Sequence, residues 1–303
     1  MGARPPRASR AGRAASGART GARRPRGDGL RVQREGRAED DGYRCELVPG
    51  LRASADASRL AQEIAFASGR LLTLAAAPPG LYGEARALGV SDLERATWMC
   101  LLIAYLSPLE GDDPFAGIRL ALAVEPGTLP DLGDVPLGPR TCHEPERGTE
   151  TLAAYLNWVE RSGPSQAAAF AGDPAWTAER RFERLFERLA LPGLGRTGRY
   201  ELLLILGRLG LYELRPDSLH VGGARGVSTE DLTTVAAKRV FGIGDPLLLE
   251  RRAATLAQAM SVPVETLDLA LFNWAAPQRA TLGFPADASD AGALERAGAA
   301  LVL

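Results

Sequence analysis

A chain of 303 residues with 46% apolar and 24% charged side chains can build a sizeable core, and it is not disordered throughout. Its longest apolar run, Trp98 to Leu106, is too short to cross a bilayer, so no membrane association is expected. Three scattered cysteines (Cys45, Cys100, Cys142) exclude a disulfide framework, and two histidines, His143 and His220, leave little for a metal site. No metal and no cofactor is expected, and the location expected is cytoplasmic. The net charge of −1 hides an asymmetry, because residues 1–37 carry 11 arginines against Asp28 and Glu35 and leave the remainder acidic. Lys238 is the single lysine among 36 basic residues. That bias toward arginine fits GC-rich codons and weakens any one arginine as a functional signal.

Residues 1–42 are Arg, Gly, Ala, Ser and Pro with almost no large apolar side chain, so they are expected to be disordered. They read as an electrostatic arm for nucleic acid, as a transit-like leader or as an extension without function. From residue 55 the periodicity predicts helix after helix. Residues 58–77 place Leu60, Ile64, Leu71, Leu72 and Leu74 at near-helical spacing. Ser91 and Glu94 form an S-x-x-E capping box that opens the most apolar helix, 96–106. Asp113-Pro114 starts a short helix through 123, and a Pro/Gly-rich connector covers 125–148. Helices are then predicted over 149–161, 164–171, 175–189, 199–209, 230–241, 246–260 and 263–274, with Thr229, Asp245 and Val262-Pro263 marking starts. Asp231 is read as balancing charge at its helix start, and the four tryptophans as core or interface. Residues 276–303 read as a short helix or a loose extension. The class is all-α, with a helical domain over 55–275.

One segment stands above composition: Leu191-Pro192-Gly193-Leu194-Gly195-Arg196, between an amphipathic and an apolar helix. Pro192 ends the first helix, and the two glycines permit positive φ and close backbone approach. The amides opening the second helix then point outward with the positive end of the dipole behind them, a terminus that accepts a phosphate oxygen whatever the base. Gly193, Leu194, Gly195, Arg196 and Thr197 are therefore the candidate DNA-phosphate contacts.

In this segment the chain resembles the helix-hairpin-helix DNA glycosylase superfamily, whose hairpin reads L-P-G-[IV]-G and is followed by an extended stretch and an essential aspartate. Here Gly210 is followed by Leu211 to Pro216 and then Asp217. The resemblance implies a glycosylase-like helical domain and gives Asp217 a catalytic role beside an everted nucleotide. Members with lyase activity carry a lysine just after the second hairpin glycine. Arg196 stands there in this chain, so strand nicking through a Schiff base is not expected. The iron–sulfur loop of other members is missing, since no cysteine follows Cys142.

Residues 236–245 and 267–274 look like a narrower group of that fold, the α-glutamyl/putrescinyl thymine pyrophosphorylases, clade 3. That resemblance implies a DNA base-modifying enzyme in which an amine displaces pyrophosphate from an activated 5-hydroxymethyluracil. Lys238 is a second catalytic candidate, because a desolvated lysine can act as a nucleophile where arginine cannot. The expected partners are DNA with a modified or everted base and a small amine or amino-acid donor. Two alternatives are a monofunctional glycosylase without lyase activity and a non-catalytic DNA-binding module. His220, three residues after Asp217, could act near the same pocket, though a hydrogen-bonded structural histidine is the commoner case, and Cys142-His143 reads as a polar loop without a metal.

Overall fold

The helical periodicity is realised as twelve α-helices in the computed structural model, which describes residues 38–124, 128–222 and 231–303. Among these residues there is no strand. The first helices are α1 (Ser54–Ala76), α2 (Gly80–Leu88), α3 (Leu93–Leu106) and α4 (Ala116–Leu122). A 3₁₀ turn, Pro145–Arg147, precedes α5 (Glu150–Ser162), α6 (Gln166–Ala171), α7 (Ala178–Arg188) and α8 (Arg196–Arg208). The chain ends with α9 (Leu232–Phe241), α10 (Pro246–Ala259), α11 (Thr266–Ala275) and α12 (Ala291–Leu301). The expected disordered stretch lies outside the described residues as far as residue 37. Residues 38–42 run along α1, where Asp41 accepts the Ser54 amide at 2.9 Å.

Several starts differ from the sequence expectation: α1 begins four residues early, α4, α7 and α11 begin three residues late, and the starts of α3, α8 and α9 differ in ways that bear on the site. The residue capping α3 is Asp92, whose carboxylate accepts the Arg95 amide at 3.0 Å, while Ser91 turns back to the Leu88 carbonyl. Glu94 caps a different helix, accepting the amides of Gln166 and Ala167 at the start of α6. Two adjacent residues can each cap, so a one-residue shift satisfies the first turn and frees Glu94 for a partner distant in sequence. Helix α8 starts at Arg196, three residues earlier than expected, directly on the turn. Helix α9 starts after Asp231, whose side chain accepts the Thr234 amide at 3.2 Å; Thr229 lies outside the described residues.

Helices α3 and α8 are buried on nearly every side and pack on each other, with α2 flanking α3. Helix α1 packs along α11 and α12, and α11 packs on α9. The two groups meet where α1 touches α8. Residues after 275 pack on this frame: Ala280, Ala293, Ala297 and Leu301 are buried, and Tyr43 donates its hydroxyl to the Leu301 carbonyl at 2.6 Å. Among the described residues no helix is long and apolar enough to cross a membrane.

A file of alternating charges runs through the junction. Arg70 of α1 pairs with Glu201 of α8, and Glu201 accepts from Arg140 at 2.7 Å. Arg140 also pairs with Asp268 of α11, which accepts from Arg196 at 2.6 Å; Arg196 lies 3.6 Å from Asp231. Only Asp231 keeps noticeable exposure, with 21% of its side chain accessible. Buried ions are tolerable only when neighbours compensate them, and here three guanidiniums meet three carboxylates.

A polar cleft at the α7–α8 turn

The turn between α7 and α8 is built as its residues dictate. Gly193 has φ +77°, and an added Cβ would collide with the Thr151 hydroxyl of α5. Gly195 is different from expectation: its backbone is extended (φ −65°, ψ 177°), and a Cβ there would meet only open space. What Gly195 leaves is an uncapped helix start, because it offers no side chain to the first amides of α8. Leu194 is buried at 2% exposure and, with Leu202, Leu203 and Ile205, locks the turn to the core.

A cleft of about 550 Å³ opens beside this turn. Its walls are residues 139–144, Gly193, Gly195, Arg196 and Thr197, the loop 220–222, one face of α9, the start of α10, and Phe272 from α11. On α9 the positions Asp231, Thr234 and Lys238 follow helical spacing and line one wall. The hairpin and Lys238, which the sequence left in separate arguments, thus share one cavity.

Two expected residues are placed otherwise. The Arg196 side chain turns inward, where it is 4% exposed and donates to the Leu219 carbonyl and to Asp268. Any contribution of this position to a phosphate therefore comes from its backbone amide. Asp217 is exposed and does not line the cleft. It sits at a bend that follows residues 213–216, where Leu214 and Pro216 are buried and Glu213 and Arg215, like Asp217, are exposed. The partly buried acid inside the cleft is Asp231.

Both histidines line the cleft, which was weighed as a possibility for His220 and not foreseen for His143. The ring of His220 stacks on Phe186, centroids 4.3 Å apart, and its Nε2 is buried without a hydrogen-bond partner. Burial, reinforced by the Arg196 charge, pushes its pKa down to about 4. Its backbone has φ +54°, an uncommon conformation for a residue with a side chain. That shape is held from several sides. Glu250 of α10 accepts the amides of Leu219 (2.7 Å) and Val221 (2.5 Å), Tyr200 donates to the Ser218 carbonyl at 3.0 Å, and Arg196 holds the Leu219 carbonyl.

On the opposite wall Tyr105 of α3 anchors residues 141–143. Its carbonyl accepts the Cys142 amide at 2.9 Å and the Thr141 hydroxyl at 3.1 Å, and its own hydroxyl lies 2.9 Å from His143 Nδ1. Burial lowers the His143 pKa, opposed by Glu144 and Glu146. Burial also pushes the Cys142 thiol up to about 11, against the lowering effect of the Arg140 charge. Among the described residues no group of three or more His, Cys, Asp or Glu is placed to hold a metal ion.

The fold and this cavity define an all-helical protein with a polar cleft at a glycine turn between two helices. Residues 141–282 match the family model described as alpha-glutamyl/putrescinyl thymine pyrophosphorylase clade 3. No curated protein and no solved structure matches the chain. The matched segment runs from Thr141 through Phe272 and beyond, and so contains every cleft residue except Pro139 and Arg140.

Proposed function

We propose that this protein is a DNA base-modifying enzyme that transfers an amine onto a pyrophosphate-activated 5-hydroxymethyluracil. The observation that carries the reading is the coincidence of the matched segment with the cleft walls. A second support is the chemistry inside the cleft, where an uncapped helix start faces the same cavity as an ammonium and a carboxylate.

In this reading the first amides of α8 hold a phosphate of the strand, with the helix dipole behind them. The target nucleotide leaves the stack and enters the cleft. Lys238 supplies positive charge to the departing pyrophosphate, and Asp231 provides the negative charge that an ammonium donor needs. The donor ammonium first gives up a proton to water or to a base of the cleft; the free amine nitrogen then forms a bond to the 5-methylene carbon and sheds one further N–H proton by the same route. The carbon–oxygen bond to pyrophosphate breaks, and its electron pair stays on the leaving oxygen. No covalent enzyme intermediate is required.

The test is incubation of the full chain with duplex DNA containing 5-(pyrophosphoryloxymethyl)uracil, with putrescine or glutamate as donor. Nucleoside mass spectrometry should find the aminomethyl adduct, with pyrophosphate released in equal amount. Free base and an abasic site would replace this reading with monofunctional base excision. Duplex binding without either product would replace it with a non-catalytic module.

A further inference from the structure

Twenty residues line the cleft, yet they include both histidines and the only lysine of the chain. A scatter of surface residues would not gather them. The two imidazoles are built for different tasks. His220 lies flat on Phe186 with its Nε2 sealed from solvent, so it serves as a neutral wall. His143 is only 5% exposed, and one nitrogen is held by the Tyr105 hydroxyl. Among the described residues its Nε2 has no hydrogen-bond partner and is not a buried unpaired atom, which leaves it to the cleft that the ring lines.

We propose that His143 is the proton acceptor of the cleft: Nδ1–H donates to the Tyr105 hydroxyl oxygen, and Nε2 takes the proton released by a protic nucleophile attacking the bound substrate. The assignment rests on the proposed function for its reaction but not for its geometry. With an amine donor, the nitrogen–carbon bond forms, pyrophosphate leaves with the electron pair of the broken carbon–oxygen bond, and one N–H proton passes to Nε2. With water as nucleophile, the same nitrogen takes the O–H proton. Tyr105 is a positioning residue, fixing the tautomer as an orienting partner does for a general base. The charged and titratable groups around His143 are Arg140, Cys142, Glu144, Glu146 and Arg147 on its own segment, and Tyr105 on α3. Asp231, His220 and Lys238 line the same cavity, as does Arg196, whose guanidinium is engaged by Leu219 and Asp268. Burial lowers the ring's pKa, against the pull of Glu144 and Glu146, and so favours the neutral form that a base needs.

The experiment uses the full chain labelled with ¹⁵N in histidine. Two imidazoles give two sets of long-range ¹H–¹⁵N signals, and H220N assigns them by removing one. At pH 7.5 the His143 set should report the neutral Nδ1–H tautomer, and its Nε2 signal should move when substrate duplex is added. H143N keeps a polar atom near Tyr105 but has no base, so single-turnover product formation should fall at least about 100-fold with duplex affinity within twofold. Y105F should lower the rate less and mix the tautomers. An Nε2–H tautomer in the wild type, or H143N turning over within threefold of it, overturns the assignment. Absence of product from the wild type itself sinks the proposed function, while the tautomer and the substrate-induced shift still decide His143.

Discussion

Arg196 and Asp268 meet at 2.6 Å beneath the cleft although 72 positions separate them in the chain. Through this contact the first residue of α8 is fixed against α11. The same carboxylate also takes Arg140, so removing its charge leaves two buried guanidiniums undercompensated.

D268N should therefore cost about 3–5 kcal/mol of stability, the range for breaking a buried pair from one side. Urea unfolding at pH 7.5 measures it, and a loss within experimental error would remove the pair from the account. The two arginines hold the Asp268 carboxyl below its usual range. A depressed folded pKa gives stability that is complete above the unfolded value and lost as pH falls through the folded one. The D268N variant should show a flatter acid limb below about pH 4 than the wild type.

His220 yields a second pH dependence in a different window. Its folded pKa is near 4, against 6.5 for a free imidazole, so the unfolded chain takes up the proton first. Stability is complete above pH 6.5 and declines as pH falls toward 4, by at most about 3 kcal/mol for this group. Comparing urea midpoints at pH 7.5 and pH 5.0 measures the decline. H220N, which tolerates the positive φ, should remove most of it.

The two glycines of the turn should respond in opposite ways. G193A introduces a Cβ at φ +77° against the Thr151 hydroxyl, and should lower the melting temperature by several degrees. G195A has extended backbone and open space, so its melting temperature should match the wild type. If a phosphate approaches α8 here, G195A should still weaken duplex binding severalfold. Equal affinity in G195A would move the strand away from this turn.

Glu250 should govern the order of the loop carrying His220. E250A strips two amides of their acceptor and should raise hydrogen exchange at residues 219 and 221 at least tenfold. Exchange unchanged at both amides would mean that Arg196 and Tyr200 hold the loop without it.

Much of the fold was legible because most helices bury one stripe, and a stripe is written in the local spacing of Leu, Phe and Ala. Helix α2 was not foreseen. Its sequence carries two glycines after Pro78-Pro79, which weakens the local signal, and its helix is secured by buried Leu81, Tyr82 and Ala85. The turn at 191–196 and Lys238 were legible as chemistry, but their common cavity was not, since α9 is brought there by its packing on α11. His143 was passed over because its anchor, Tyr105, is far away in sequence and sits in a run that reads as pure core. The exposure of Asp217 follows from how residues 213–217 pack, with Leu214 and Pro216 buried, which the motif that singles out the aspartate does not encode.

The solitary lysine has a practical corollary. Apart from the N-terminus, the chain offers amine-directed reagents a single address, and that address is a wall of the cavity. An aldehyde trapped by reduction, or an activated ester read by intact mass, thus becomes an occupancy gauge for the site. Protection by an added oligonucleotide or donor would register there without any need to see turnover.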